Sequence, residues 1–490
     1  MSVLAIDAGT TGVTALVVTE DGRIDSRGYR EFAQYFPEPG RVEHVPEEIW
    51  QATLAACRTA LDRASVTPSC VGITNQRETA VLWDSTTLAA PRPAIVWQDR
   101  RSAGICAGLR EAGHEPRVAE LTGLRLDPYF TATKLTWLRE HDPRSWSAVT
   151  SGEAVVGTVD SYLVARLTGG ARHVTDASNA SRTLLYDLGA GGWSAELCEL
   201  FGVPREALPE IVPNHGEIGR TDPAAFLGLD LPIGGMAGDQ QAALFGQACF
   251  SPGDVKCTYG TGSFVLINTG TEPVRSQDGL LTTVAWQTPS GEITYALEGS
   301  IFVTGAAVQW LRDGLGVIDT APQSEALAGT VADSGGVVFV PALTGLGAPY
   351  WDPDARGTIF GITRGTTRAH LVRATLEAVA FEVRDVVEVM TGAAGLRVPA
   401  LKADGGASGN DLLMRLQADQ LGVPVERPAI QETTALGAAF LAGLGTGVWS
   451  STEELRKTWT LDRRFEPGDR DEAAYTRWLK AVDRARSWAV

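Results

Sequence analysis

No CxxC pair occurs in the 490-residue sequence, and no histidine stands within zinc-finger spacing of a cysteine pair. The six cysteines (Cys57, Cys70, Cys106, Cys198, Cys249, Cys257) are widely spaced, which argues against a disulfide framework and predicts buried, reduced thiols in a cytoplasmic protein. Basic runs are also missing. Lys plus Arg number 42 against 59 Asp plus Glu, a net charge of −17, so a broad nucleic-acid or anionic-membrane surface is disfavoured. A few backbone N–H groups and a metal ion can still hold phosphate locally, so the expected partner is a small molecule. Apolar stretches such as Gly336 to Tyr350 are broken by Gly and Pro and fall short of the ~20 residues of a membrane helix. The N-terminus opens on Val3-Leu4-Ala5-Ile6 without a cationic region or cleavage site, so neither membrane insertion nor a secretory signal is expected.

Several catalytic signatures are absent as well. There is no GxxxxGK[ST], no GxGxxG after a strand and no GxSxG elbow, which argues against a P-loop ATPase, a dinucleotide fold and an α/β-hydrolase. The six histidines form no i, i+3 or i, i+4 pair, so Mg²⁺ carried in with nucleotide is the only metal expected. What is present is an ordinary globular composition, 44% apolar and 21% charged, in a chain long enough for two domains of roughly 250 residues.

Leu4 to Val18 reads as two apolar runs joined by the turn Ala8-Gly9-Thr10-Thr11, continuing through Asp21-Gly22 into a third strand near Ile24. Val45 to Ala64, with Pro46 near its start and Glu47 and Glu48 after it, predicts a capped helix. Strands are predicted at Cys70 to Thr74 and Ala80 to Trp83, flanking Asn75-Gln76-Arg77-Glu78. A similar hairpin recurs at Val255 to Thr258 and Phe264 to Asn268 around Gly260-Thr261-Gly262. It suggests a duplication with a second domain from about residue 248, although any hairpin needs such a turn. Leu371 to Met390, apolar nearly all round, predicts a buried helix.

Asp7-Ala8-Gly9-Thr10-Thr11 ends a buried strand with a carboxylate, a glycine and two hydroxyls. Glycine lets backbone approach phosphate oxygens, hydroxyls donate to them, and a carboxylate can hold Mg²⁺; the same residues also make a plain turn. Tyr259-Gly260-Thr261-Gly262-Ser263 offers the same groups. Asp239, after the strand Ile233 to Ala237, reads either as a proton acceptor from a substrate hydroxyl or as a helix N-cap. Arg77 and Glu78 can pair with vicinal hydroxyls, and Trp97, Tyr129 and Phe264 can wall a carbon backbone, though each aromatic alone reads as core. Gly405-Gly406-Ala407-Ser408-Gly409-Asn410 is a glycine-rich entry to the helix Asp411 to Gln420, suited to a flat ring or a phosphate, or an ordinary loop.

Together these stretches resemble the FGGY carbohydrate kinases, and within them the glycerol-kinase branch, along essentially the whole chain. The match is carried by Gly72-Ile73-Thr74-Asn75-Gln76-Arg77-Glu78-Thr79, by Ala94 to Arg101, by Asp127-Pro128-Tyr129-Phe130, by Ala237 to Gln247 and by Gly345 to Pro353. Tyr129 to His141, with Lys134 and Trp137, and Gly357 to Glu377 are similar to the two signature segments of that family. The resemblance implies an α/β fold of two actin-like (ribonuclease H-like) domains, residues 1–247 and 248–490, closing on a central catalytic cleft. It implies ATP- and Mg²⁺-dependent phosphorylation of glycerol to sn-glycerol 3-phosphate. It makes Asp239 the general base, with Arg77, Glu78, Tyr129, Asp239 and Gln240 on the polyol and Trp97 and Phe264 on its carbon face. Thr10, Thr11, Thr261, Gly305, Gln309, Gly406 and Asn410 would contact nucleotide, and Asp7 and Asp239 would lie at the metal. A homo-oligomer, dimer or tetramer, is implied too.

Two positions depart from the pattern. Thr14 stands where many members of the branch carry a phosphate-contacting arginine, and Ala8 replaces the usual glutamine. The loop Thr221 to Leu231 lacks the glycine-and-arginine pattern that binds fructose 1,6-bisphosphate in some members, and Ala225 takes the place of a phosphorylatable histidine in others, so neither regulation is expected. The alternatives are a kinase of the same family for a tetritol or pentulose, and a nucleotide-binding sensor without turnover.

Overall fold

The computed structural model describes residues 1–489. Two mixed sheets organise the chain. The first contains β1 (Ser2–Ala8), β2 (Gly12–Thr19), β3 (Ile24–Glu31), β4 (Cys70–Asn75), β5 (His215–Arg220) and β6 (Pro232–Gly238), in the order β3-β2-β1-β4-β6-β5. The second contains β7 (Val255–Tyr259), β8 (Ser263–Gly270), β9 (Leu281–Gln287), β10 (Ile293–Ile301), β11 (Leu401–Asp404), β12 (Val425–Pro428) and β13 (Leu461–Phe465), in the order β9-β10-β8-β7-β11-β12-β13.

Leaving β9 aside, the two orders correspond strand for strand. Each begins with a three-stranded antiparallel meander, adds two parallel strands beside its first strand, and ends on an antiparallel edge. This is the actin-like arrangement, and the two Gly/Thr turns noted in the sequence occupy equivalent places in it. The central strands are buried on both faces, Val3, Leu4, Ala5 and Ile6 all being inaccessible, because helices cover each side of the sheet.

On one face of the first sheet lies α1 (Pro46–Arg63), a helix where Pro46 and the acidic first turn predict one, although its N-cap residue, Val45, has no side chain able to cap it. The other face carries a helix from far along the chain, α7 (Thr433–Thr446). The remaining helices used below are α2 (Thr131–His141), α3 (Asp239–Gly246), α4 (Gly305–Asp313), α5 (Arg368–Ala394), α6 (Asp411–Leu421) and α8 (Glu472–Ala485).

α3 follows β6 and α7 follows β12, so these two helices hold equivalent places in the two halves, and they pack against each other. The approach is so close that a Cβ on Gly437 would lie 1.8 Å from the Ala242 carbonyl oxygen. Interlocked in this way, the halves share one apolar cluster that runs from Val3 and Ala5 through Phe245 to Leu436 and Trp449. The buried helix predicted at Leu371 to Met390 is the middle of α5, and it is less uniformly apolar than its composition suggested. Asp385 is buried there and accepts from Tyr475 Oη at 2.5 Å and Trp478 Nε1 at 2.8 Å, which ties α8 down. All six cysteines are free and buried. Among the described residues no helix is long and apolar enough to cross a membrane.

Candidate active site

The register of the first sheet brings Ala8, Asn75 and Gly238 side by side, so β1, β4 and β6 end together. The residues that follow, Gly9 to Thr11, Gln76 to Glu78 and Asp239, therefore converge at the carboxyl ends of parallel strands, where α/β sheets place their sites. In the second sheet Thr258 pairs with Asp404, which sets the Gly260 turn beside the loop from Gly405 to Asn410.

Arg77 is buried, and four acceptors surround it. Nη1 donates to Glu298 Oε2 at 2.5 Å and Gln241 Oε1 at 3.2 Å, while Nη2 donates to Glu298 Oε1 at 3.1 Å and Tyr129 Oη at 3.3 Å. Nε lies 3.1 Å from Asp239 Oδ1. Glu78 takes Arg182 Nε at 2.6 Å, and Arg182 Nη2 reaches Glu298 Oε1 at 2.9 Å. Two arginines and two glutamates thus form a closed, buried ring of charge. Burial works against ionisation of Glu298, but Arg182 and Arg77 overcome it and hold the carboxyl down at about 2. At Glu78 burial wins over Arg77 and Arg182, and its carboxyl is raised. Glu78 also sits at φ +59°, a left-handed conformation that costs a non-glycine residue energy and persists where the surroundings enforce it.

Tyr129 is held from behind. Lys134, buried in α2, donates to the carbonyls of Pro128 at 2.8 Å, Tyr129 at 2.5 Å and Phe130 at 3.2 Å, and burial pushes its ammonium down to about 8. Trp97 stands edge-on to Tyr129 and Phe264, with ring centroids 5.6 Å and 6.5 Å away, so the three aromatics named from sequence do form one wall. The Trp97 indole Nε1 also donates to Thr10 Oγ1 at 3.1 Å, which joins that wall to the first Gly/Thr turn.

Asp239 opens α3 as its first residue, and the N-cap position falls on Gly238, which has no side chain to offer. Its Oδ1 accepts from the Gln240 backbone N–H at 2.7 Å and faces Arg77. Both of these contacts fall on one oxygen, and Oδ2 remains for another donor. Asp7, at the end of β1, is raised to about 7 by burial and by the charge of Asp239. Two carboxylates close enough to feel each other's charge suit a hard divalent ion. Among the described residues no third His, Cys, Asp or Glu joins them, which leaves the other positions to water and phosphate oxygens, the habit of Mg²⁺. Thr14 lies directly across the hairpin from Asp7. Gln240 turns toward the second half of the chain, accepting from Lys256 Nζ of β7 at 2.5 Å.

The nucleotide candidates are built mainly of backbone. Gly305 N donates to Gly260 O at 3.0 Å and Ala306 N to Thr261 O at 3.1 Å, so α4 begins directly against the second turn; a Cβ on Gly305 would stand 2.6 Å from the Gly260 oxygen. Gln309 is exposed one helical turn after Gly305, on the same face of α4. Gly406 has open space where a Cβ would be. Asn410 is the N-cap of α6, its Oδ1 accepting from Leu413 N at 2.9 Å and its Nδ2 reaching Ser324 Oγ at 3.3 Å, so its amide is already engaged. Thr11 and Thr261 are exposed at the two turns.

Arg182, Glu298, Gln241 and Lys256 were missed by the sequence reading. A signal existed for two of them: a lone Glu in the apolar run Ile293–Ile301 and a lone Lys in Val255–Tyr259, each a charge inside a central strand that demands a partner.

This geometry agrees with what comparison with known proteins finds. The N-terminal domain of the FGGY family of carbohydrate kinases matches residues 2–246 and the C-terminal domain of that family matches residues 255–446. A glycerol kinase of Aromatoleum aromaticum is 55% identical over 493 residues, covering 99% of this chain and 99% of that protein. One from Dechloromonas aromatica is 54% identical, covering 99% of this chain and 98% of the relative. The crystal structure of Plasmodium falciparum glycerol kinase with ADP superposes with a TM-score of 0.91 at 35% identity, covering 99% of this chain and 98% of that one. Matched in both halves and along its full length, the chain belongs to the FGGY family of carbohydrate kinases.

Proposed function

We propose that the chain transfers the γ-phosphoryl group of ATP to a terminal hydroxyl of glycerol, releasing ADP and sn-glycerol 3-phosphate. The observation that carries this reading is the Asp239 carboxylate, set beside the buried Arg77–Glu78 pair and within reach of the charge of Asp7. Relatives that share more than half of its residues and bear the name glycerol kinase support it.

The polyol lies against Arg77, Glu78, Tyr129 and Gln240, with Trp97 and Phe264 on its carbon face. Asp239, through its free Oδ2, takes the hydroxyl proton as the substrate oxygen forms its bond to the γ-phosphorus and the bond to the bridging oxygen of ADP breaks. Because such transfer asks little covalent work of the protein, alignment and the exclusion of water carry the catalysis. Thr10, Thr11 and Thr261 present hydroxyls and N–H groups to phosphate, with Gly305, Gln309, Gly406 and Asn410 around the nucleoside. Mg²⁺ held by Asp7 and Asp239 would supply charge neutralisation at the phosphates. The two domains divide near residues 247 and 248, and their closure seals the cleft.

The test is a coupled ADP-release assay with Mg²⁺-ATP against glycerol, dihydroxyacetone, erythritol, ribulose and xylulose. Glycerol is expected to give the highest kcat/KM. Asp239→Asn is expected to lower kcat by about a thousandfold, within the range for a general base, while calorimetry still detects glycerol binding. A clear preference for a longer polyol or ketose overturns the substrate, and unchanged turnover in the variant overturns the base.

A further inference from the structure

Glu298 lies far along the chain from Arg77, Glu78 and Tyr129. It sits in the middle of β10, in the second sheet, with no exposure to solvent. From there it crosses to the first half of the chain and grips both nitrogens of the Arg77 fork, at 2.5 and 3.1 Å, and the Arg182 Nη2 at 2.9 Å. Arg182 in turn fixes Glu78 through a 2.6 Å bond. One carboxylate therefore sets the positions of Arg77 directly and of Glu78 through one intermediate.

The ring is also balanced. Arg77 and Arg182 bring two positive charges and Glu78 and Glu298 two negative ones, so the ring itself carries no net charge. A neutral polyhydroxy compound meets a floor with rigid donors and acceptors and no net charge. A hydroxy acid of the same length brings a carboxylate that such a floor does not neutralise.

We infer that Glu298 is a positioning and specificity residue: it orients Arg77 and, through Arg182, Glu78 toward polyol hydroxyls, and by cancelling their charge it tunes the site to neutral substrates over hydroxy acids. This rests on the polyol kinase reading above, and turnover of glycerol by the unaltered protein tests that reading by itself, whatever the variants do.

The experiment compares steady-state kinetics of the unaltered protein with Glu298→Gln, Glu298→Asp and the double variant Glu298→Gln, Arg182→Gln. In Glu298→Gln the KM for glycerol is expected to rise about tenfold, as for loss of a charge-assisted hydrogen bond, with the KM for ATP held within about threefold. D-glycerate, as a competitor of glycerol, is expected to inhibit this variant about tenfold more strongly than the unaltered protein. Glu298→Asp should recover part of the glycerol KM. The double variant restores the charge balance without the grip on Arg77, so glycerate inhibition should return to its original strength while the glycerol KM stays high. Parallel shifts of both KM values, or glycerate inhibition that does not change, overturn the inference. If Glu298→Gln does not fold, the double variant decides: a raised glycerol KM with an unchanged ATP KM supports the role, and an unchanged glycerol KM refutes it.

Discussion

The polyol floor and the nucleotide side of the proposed cleft are built in opposite ways. The floor is made of long charged side chains, buried and hydrogen-bonded to one another, with Arg77, Arg182 and Glu298 all inaccessible or nearly so. The nucleotide side is made of turns and helix starts, where glycines at 305, 405 and 406 and the exposed Thr11 and Thr261 offer backbone and hydroxyls. The difference teaches a division of labour. A small neutral triol has few atoms to recognise, so its donors and acceptors must be held rigidly in place. A nucleotide is large and highly charged, and many individually weak backbone contacts with local cations suffice to hold it.

The widest gap between the two regions should open on Arg77→Met. With the guanidinium gone, Glu298 loses two of its bonds and keeps Arg182 as its hydrogen-bonded cation, with Lys256 close enough to act on it. Stability should drop by about 3–5 kcal/mol, the cost of removing one partner from a buried ion pair. Glycerol turnover should vanish, while ADP still binds to whatever fraction remains folded. Denaturant titration and ADP calorimetry on the same preparation check both halves of the expectation. A loss of stability below about 1 kcal/mol would mean that the ring is no more than a surface ion pair in energy.

The mirror-image change is Gly405→Ala. Gly405 has φ +84°, and a Cβ there would stand 2.6 Å from the Tyr259 carbonyl oxygen, so the backbone must shift. Strain of this kind costs about 1–3 kcal/mol. Its effect should fall on the loop at Gly406 and Asn410, raising the KM for ATP about tenfold and leaving that for glycerol nearly as it was. Equal movement of both constants in this variant would erase the distinction between the two regions.

How much of this the sequence discloses depends on how far apart the partners lie along the chain. The opening hairpin and α1 were legible because alternation, turn residues and Pro46 are local signals. Asp239, Arg77 and Glu78 were legible as candidates because they sit in polar breaks at the ends of apolar strands, although the same pattern fits a helix cap, and only the structure shows Gly238 taking that place. Glu298 finds Arg77 221 residues away, and Arg182 finds Glu78 104 residues away. No local period encodes such a pairing. The packing of α7 on the first sheet was hidden for a related reason: Thr433–Thr446 is rich in Ala and Gly and buried nearly all round, so its composition shows burial but not which sheet it covers.

The seam between the two regions offers the smallest and finest test. Gln76 Nε2 donates to the Gly9 carbonyl of the phosphate turn at 3.0 Å and to His44 Nδ1 at 3.3 Å, and Gln76 Oε1 accepts from Thr79 Oγ1 at 2.8 Å. The carbonyl contact fixes the amide, so His44 Nδ1 must be an acceptor and its ring neutral. Burial lowers the His44 ring from its usual 6.5 to about 4. The unfolded chain therefore binds the extra proton between those two values and the folded chain does not, which makes stability fall as pH drops through that window. The loss from this group at pH 6 should be about 1 kcal/mol relative to pH 8. His44→Gln removes the titration, and its denaturation midpoint should be flatter with pH than that of the unaltered protein between pH 8 and pH 6. Because Gln76 lies in the chain next to Arg77 and touches the turn at Gly9, loss of the His44 ring in His44→Gln should weaken glycerol and ATP binding together. If only one of the two constants moves, the seam belongs to that region alone, and the polyol floor and phosphate turn are set independently.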